Sequence, residues 1–253
     1  MAVNKDRIQQ RFARAAATYD RQAFIQLKMA RRLLGLLDEH LSSPPRRLLE
    51  IGCCTGLLTE QLVRCFPAAE TFFVNDLVPA FEETVRRRTG GAPQVRFLPG
   101  DIERIDIPAD LDLVVSSSTL HWLADLPGFL RRLATRLPAG ATFCFSIYGP
   151  ENLAEVREIT SIGLDYRGSG DLRRLVGERF DLLALEEEKA VLFFDDPLAL
   201  LNHLRETGVN ALDAPPWTRS RLEYFRQEYM ARFSVGDRVF LTYHPVYCVA
   251  RRR

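Results

Sequence analysis

An α/β fold with a doubly wound, mostly parallel sheet is predicted by three observations. Apolar strand-like runs alternate with amphipathic helical stretches between residues 47 and 147. A glycine-hinged loop follows the first run directly, and acids stand at the ends of the next two. Before the sheet, residues 4–16 and 22–40 read as two helices. In the second, Leu27, Ala30, Leu33, Leu34 and Leu37 recur at helical spacing, and Pro44-Pro45 then separates this arm from the first strand at about 47–52. The alternation continues as helix 56–66, strand 71–76, helix 79–89, strand 94–99, strand 111–116, helix 126–137 and strand 141–147.

After residue 150 the pattern changes. Helices near 151–162 and 171–180 lead to Leu182–Phe194, read as one long strand whose Glu186–Glu188 run suits a solvated edge. Asp196–Thr207 is an amphipathic helix with Leu198, Leu201 and Leu204 on one side and Gly208 at its C-terminus. Ser220-Arg-Leu-Glu223 reads as a capping box opening a helix to about Phe233. Arg238–Ala250 is a closing strand in which Pro245 suggests an edge or bulge. The chain is thus expected to be one domain: an N-terminal helical arm (1–45), a core (46–150), and a sheet completion (151–253) carrying a helical lid at about 195–235.

Composition narrows the function classes. With 47% apolar and 26% charged residues over 253 positions, the chain is an ordinary soluble globular protein. Its polar start is neither a secretory signal nor a membrane anchor, and no apolar run approaches the roughly 20 residues a bilayer span needs. Five cysteines, odd in number and without metal-ligand spacing, read as free thiols in a reducing cytoplasm. Residues 1–47 hold ten Lys/Arg against four Asp/Glu, although the whole chain carries only +1. That basic arm suits an acidic partner. Nucleic acid is disfavoured, because no basic stretch is interleaved with aromatics.

Leu48-Leu-Glu-Ile-Gly-Cys-Cys-Thr-Gly56 carries the most information. Small residues let the backbone turn sharply against a ligand, and the helix that follows offers its N-terminus to an anion. Gly52 and Gly56 are four apart, which is not the dinucleotide spacing and argues against a dehydrogenase. The segment resembles E/D-x-G-x-G-x-G, the first motif of class I S-adenosylmethionine-dependent methyltransferases, with Cys54 where the middle glycine usually stands. That resemblance implies a Rossmann-like, seven-stranded sheet with an antiparallel last strand. It also implies that Glu50, Gly52, Cys54 and Gly56 surround the methionyl end of the cofactor. Asp76 would hold the ribose, Asp101 with Ile102 the adenine, and Ser116 or Ser117 would line the methionyl side. Taken singly, each acid reads more readily as a solvated turn residue or helix cap; it is the ordered set that points to a cofactor.

The C-terminal half sharpens the likeness. Phe193-Phe-Asp-Asp-Pro197, Leu200-Leu-Asn-His-Leu-Arg-Glu-Thr-Gly-Val-Asn210 and Leu241-Thr-Tyr-His-Pro-Val-Tyr247 resemble the malonyl-acyl-carrier-protein O-methyltransferases of biotin synthesis. Arg11-Phe-Ala-Arg-Ala-Ala-Ala-Thr-Tyr-Asp20, Ser116-Ser-Ser-Thr-Leu-His-Trp122 and Gly149-Pro-Glu-Asn-Leu153 fit the same pattern. The likeness implies methylation of the free carboxylate of a malonyl thioester on acyl carrier protein, or on coenzyme A, without a metal. Such a carboxylate is already ionised, so no catalytic triad is expected. The amine-methylating Asn-Pro-Pro-Tyr motif is replaced by Ser116-Ser-Ser-Thr119. Tyr19 would cover the sulfonium. Tyr148, His121 and Tyr166 are candidates to clamp the acceptor carboxylate, each with a plain packing reading beside it. Tyr243 and His244 read as core and turn residues. Carrier docking would fall to Arg11, Arg14, Arg131 or Arg132. The rivals are a class I enzyme acting on another small carboxylic acid or a quinone carbon, and a non-catalytic partner protein of the same fold, which only Cys54 favours.

Overall fold

A computed structural model describes residues 4–208 and 216–253. Helix α1 (Lys5–Ala15) starts at Asn4, whose side chain accepts from the Arg7 N–H. The helix expected over 22–40 is present, and a short extra helix precedes it. Ala23 leaves helical geometry (φ −79°, ψ 40°) between α2 (Tyr19–Gln22) and α3 (Phe24–His40). That break separates the buried Tyr19 from the long helix that lies across the sheet.

The alternating core follows as expected: β1 (Arg47–Ile51), α4 (Leu57–Cys65), β2 (Thr71–Asp76), α5 (Phe81–Arg88), β3 (Val95–Pro99), β4 (Leu113–Ser117), α6 (Leu126–Arg136) and β5 (Thr142–Tyr148). Then come α7 (Ala154–Thr160), α8 (Ser169–Gly177), β6 (Phe180–Glu187), β7 (Ala190–Phe194), α9 (Pro197–Glu206), α10 (Arg219–Arg232), β8 (Ser234–Val235), β9 (Arg238–Tyr243) and β10 (Pro245–Arg252). The main sheet has seven strands in the order β3-β2-β1-β4-β5-β10-β6, and β10 runs antiparallel to both neighbours. One apolar layer joins α3 and α4 to one face and to the lid; the other packs α6 and α8 on the opposite face. Strand β1 lies between β2 and β4, so chain connections leave it in opposite directions and open a crevice beyond its carboxyl end.

The C-terminal half differs from the sequence reading in four respects. Leu182–Phe194 is two strands, because the chain leaves the main sheet after Glu187 and β7 joins a small sheet of order β7-β9-β8. The closing strand breaks likewise at His244, and the Glu188 N–H donates to the Pro245 carbonyl where the two breaks meet (3.0 Å). Pro245 therefore opens an interior strand, where its missing N–H costs nothing, and the irregularity falls at Val249/Ala250. The glutamates at the end of edge strand β6 and just past it are engaged: Glu186 takes both ends of the Arg32 guanidinium, and Glu188, beyond the strand, accepts from Lys28 and Tyr247. Finally, Thr218 rather than Ser220 caps α10 by accepting from the Arg221 N–H, which leaves Glu223 to pair with Arg226 and Gln227. Among the described residues no helix is long and apolar enough to cross a membrane.

Two buried side chains tie this elaboration to the core. His244 accepts from the Glu151 N–H at Nδ1, so its Nε2 carries the proton and faces Glu187 (3.2 Å). Glu155 of α7, also buried, accepts from the Thr242 N–H (3.1 Å) and the Thr242 hydroxyl on β9. Replacing Glu155 with Ala leaves a sheet N–H without its acceptor and should cost about 1–3 kcal/mol. A urea titration checks this; an unchanged midpoint would contradict it.

Candidate functional site

The loop after β1 is shaped by three left-handed residues: Gly52 (φ +74°), Cys54 (φ +49°) and Gly56 (φ +83°), the last opening α4. A Cβ at Gly52 would lie 2.1 Å from the Thr119 hydroxyl, so only glycine lets the ends of β1 and β4 close up. Cys54 adopts a left-handed conformation that favours glycine, at a cost of about 1–2 kcal/mol for a residue with a Cβ. The Gly52 and Cys53 N–H groups both donate to the Asn75 carbonyl, and the Cys54 N–H donates to Asp76 Oδ2 (2.8 Å). Asp76 Oδ1 accepts from the Val78 N–H (2.8 Å). Burial pushes this carboxyl up to about 6 against the pull of those N–H groups.

Beyond the strand ends lies a cleft of about 660 Å³, open mouth included. Of the sequence candidates it brings together Tyr19, Gly52, Cys54, Asp76, Asp101, Ile102 and Ser117. Ser116 is not among them: its hydroxyl turns back to donate to the Ile51 carbonyl (3.0 Å) inside the sheet. Glu50 sits in an adjoining recess that shares Tyr19, Gly52, Cys54 and Ser117 with the cleft. Its Oε2 is buried without a partner, and burial raises the carboxyl to about 8. A buried carboxyl oxygen without a partner beside an open recess calls for a hydrogen-bond donor from a ligand. Burial and the neighbouring Asp76 charge push the Cys54 thiol well above its usual range, so it is a neutral wall rather than a nucleophile.

The N-terminal arm roofs the cleft. Lys5 Nζ reaches Asp101 (3.2 Å) and Glu103 (2.7 Å), Gln9 donates to the Leu77 carbonyl (3.0 Å), and Thr55 donates to Asp20 (2.6 Å). Phe12 stands edge-on to Trp122 at 6.0 Å. Sequence reasoning passed over Lys5, although it is one of only three lysines in a chain with 34 basic residues, a signal that was available.

Trp122 is the shared wall between this cleft and a second cavity under the lid, about 1370 Å³ with its mouth. Leu198, Leu201 and Leu204, the apolar stripe of α9, line it with Leu153, Tyr166 and two arginines, Arg157 and Arg205. The Arg157 guanidinium is held by the carbonyls of Pro150 (2.8 Å) and Asn152 (3.4 Å) and stacks over Tyr166 at 5.6 Å. Neither arginine has a carboxylate partner among the described residues. Both went unnoticed because arginine is so abundant here. Of the arginines named for carrier docking, Arg132 donates to the carbonyls of Ile102 and Ile105, Arg14 and Arg131 are exposed, and Arg11 is half-buried.

The three clamp candidates do gather. His121 lies 5.0 Å from the Tyr148 ring and 6.1 Å from the Tyr166 ring. Burial drives His121 down to about 3, so it is neutral, and its Nδ1 has no partner. Tyr148 stands below the cavity walls with an unpartnered hydroxyl that burial keeps protonated. Tyr166 accepts from Asn152 (3.0 Å) and is raised by burial to about 12.

Comparison with known proteins bears on this geometry. The methyltransferase-domain family description matches residues 49–145. A malonyl-acyl-carrier-protein O-methyltransferase of Prosthecochloris aestuarii is 42% identical over 99% of this chain and 94% of its own length. Relatives of the same name from Bacteroides thetaiotaomicron (37%, 99% of each chain) and Acinetobacter baylyi (34%, 99% and 98%) are similar along their whole length. Among solved structures, a putative methyltransferase from Bacillus halodurans matches with a TM-score of 0.64 at 14% identity, covering 87% of this chain and 97% of its own. The N-methyltransferase NodS from Bradyrhizobium japonicum, solved with S-adenosyl-L-homocysteine, matches with a TM-score of 0.54 at 15% identity over 93% and 98%. These last two share the fold. Replacing Gly52 with Ala should abolish cofactor binding, whereas Cys54→Gly should bind it at least as well and raise Tm, because the strain at φ +49° is relieved. Calorimetric binding with thermal melts tests both; weaker binding by Cys54→Gly would show that the thiol itself contributes.

Proposed function

The chain belongs to the malonyl-acyl-carrier-protein O-methyltransferases, and from that premise we propose that it methylates the free carboxylate of a malonyl thioester borne on acyl carrier protein. The observation that carries this reading is the pairing of a cofactor cleft with a lid cavity that is apolar along its length and holds an uncompensated guanidinium, Arg157. S-adenosylmethionine supplies an electron-poor methyl group on a sulfonium. Its fit rests on the unpartnered oxygen of the Glu50 carboxyl, which suits the methionyl ammonium, and on the Gly52 cradle. The N-terminus of α4 suits the methionyl carboxylate. Asp76 would take the ribose hydroxyls, and Asp101 and Ile102 the adenine once Lys5 yields Asp101 and keeps Glu103. Tyr19 and Ser117 would flank the reacting end.

The protein has little acid–base work to do. Transfer cancels a carboxylate against a sulfonium; one C–O bond forms, one C–S bond breaks, and no proton moves. A dry wall around both charges therefore favours the reaction, and Trp122, Phe12 and Tyr19 provide it. Alignment accounts for the rest of the rate. Neutral His121 can donate or accept a hydrogen bond without adding a charge that would quench the carboxylate. Arg157 would bind the acceptor carboxylate, the leucines of α9 the pantetheine arm, and Arg205 would meet the acidic carrier at the mouth. Free thiols throughout suit a reducing cytoplasm.

The decisive assay mixes methyl-labelled cofactor with malonyl-, acetyl- and unacylated carrier. Base-labile label on malonyl carrier alone is expected; label on acetyl carrier would overturn the reading. In the same assay Arg157→Ala should raise the acceptor KM about tenfold or more, from the loss of a charge-assisted hydrogen bond, and leave cofactor affinity unchanged. An unchanged KM would remove Arg157 from the acceptor site.

A further inference from the structure

His203 is a buried histidine of the lid with no part in the chemistry just described. It projects from α9 into a meeting point of three elements. Its Nδ1 lies 3.2 Å from Gln22 Oε1 at the end of α2, and its Nε2 lies 2.8 Å from the Tyr243 hydroxyl on β9. Phe194 of β7 stacks beside it at 5.2 Å. The hydrogen-bond directions follow from the partners. The Gln22 oxygen can only accept, so Nδ1 carries the proton and Nε2 is left as an acceptor. The Tyr243 O–H must then donate to it. Burial lowers this imidazole to about 4, so the arrangement persists through neutral pH.

The fixed Tyr243 ring packs at 5.8 Å against Tyr148, which in turn packs against His121. A continuous row of rings thus runs from the arm and lid through Tyr148 and His121 to Trp122, 5.3 Å from the His121 ring, at the wall of the cofactor cleft. The arm and lid also meet nearby, where the Thr18 hydroxyl donates to the Glu206 carbonyl (3.1 Å) and Gly208 abuts Phe12.

We infer that His203 is a positioning residue for methyl transfer: by accepting from Tyr243 and donating to Gln22 it locks lid, arm and β9 in one register, and so, through Tyr148 and His121, sets Trp122, the wall shared by the cofactor cleft and the lid cavity. The inference rests on the carboxyl-methylation reading above. It separates two roles for the lid, holding the acceptor through its leucines and orienting the reacting wall through His203.

The test compares His203→Gln, His203→Leu, Tyr243→Phe and the His203→Leu/Tyr243→Phe double variant for kcat, acceptor KM, cofactor Kd and Tm. Gln places an acceptor at the level of Nε2; Leu does not, and both lose the Nδ1–Gln22 contact. The expected result is a kcat lowered about tenfold in His203→Leu and in Tyr243→Phe, with no further loss in the double variant. Cofactor Kd should stay within about twofold, and His203→Gln should recover most of kcat at a Tm no higher than that of His203→Leu. A wild-type kcat in His203→Leu overturns the inference. So do losses that multiply in the double variant, or recovery by Gln that merely tracks Tm. Should His203→Leu not fold, Tyr243→Phe against His203→Gln still decides: equal kcat loss in both, despite the retained acceptor in the latter, contradicts the proposal. Unmodified protein inactive on malonyl carrier would instead reject the reading of function and not the positioning role.

Discussion

Everything at the site depends on the carboxylate of Asp76. Its two oxygens bind the Cys54 N–H on one side and the Val78 N–H on the other, so a single side chain at the end of β2 pins the loop leaving β1 to the turn leaving β2. Without that pin the loop would keep only its backbone bonds, those of Gly52 and Cys53 to the Asn75 carbonyl and of Gly56 to the Cys53 carbonyl. The same group is expected to face the ribose. Structural and binding demands thus fall on one carboxylate whose ionisation burial has already made costly, to a value of about 6.

The second organising feature is enclosure. The arm covers the cofactor cleft from one side through Lys5, Gln9 and Phe12, and the lid covers the neighbouring cavity from the other. Trp122 divides the two spaces and Tyr166 floors the larger. Chemistry that joins opposite charges and moves no proton needs enclosure more than it needs a base. The neutral state of His121, the protonated state of Tyr148 and the inert thiol of Cys54 all accord with a site built to exclude water rather than to titrate.

Much of this was legible in the sequence, and the reasons are specific. Parallel strands buried on both faces give short apolar runs, and the acids at or near their carboxyl ends fall at fixed places, so Glu50, Asp76 and Asp101 could be picked out, and the structure places them at the cleft or its adjoining recess. The C-terminal half was harder. The run 182–194 is apolar enough for one strand, and only the tertiary pairing of Glu188 with Pro245 and Tyr247 shows where it changes sheets. Pro245 misled for the same reason, since a proline at the first position of an interior strand leaves no unmet donor. Ser116 and Ser117 are indistinguishable by type; alternation along β4 turns one into the sheet and the other toward the cleft. Arg157 and Arg205 had no visible signal, because only a three-dimensional inventory of carboxylate partners separates them from the other arginines.

The central claim is that Glu50 waits, protonated and with one carboxyl oxygen unpartnered, for the cationic end of the cofactor. In the free protein its carboxyl is raised to about 8, so at pH 7 it holds a proton. An adjacent ammonium favours the ionised form, so binding should expel that proton. The measurement is calorimetric titration of S-adenosylmethionine at pH 7 in buffers of different ionisation enthalpy. The account expects release of close to one proton per site, falling away as the pH is raised through about 8, and no release in Glu50→Gln. A binding enthalpy independent of buffer in the unmodified protein would show that Glu50 does not receive the cofactor, and the site as described here would be wrong.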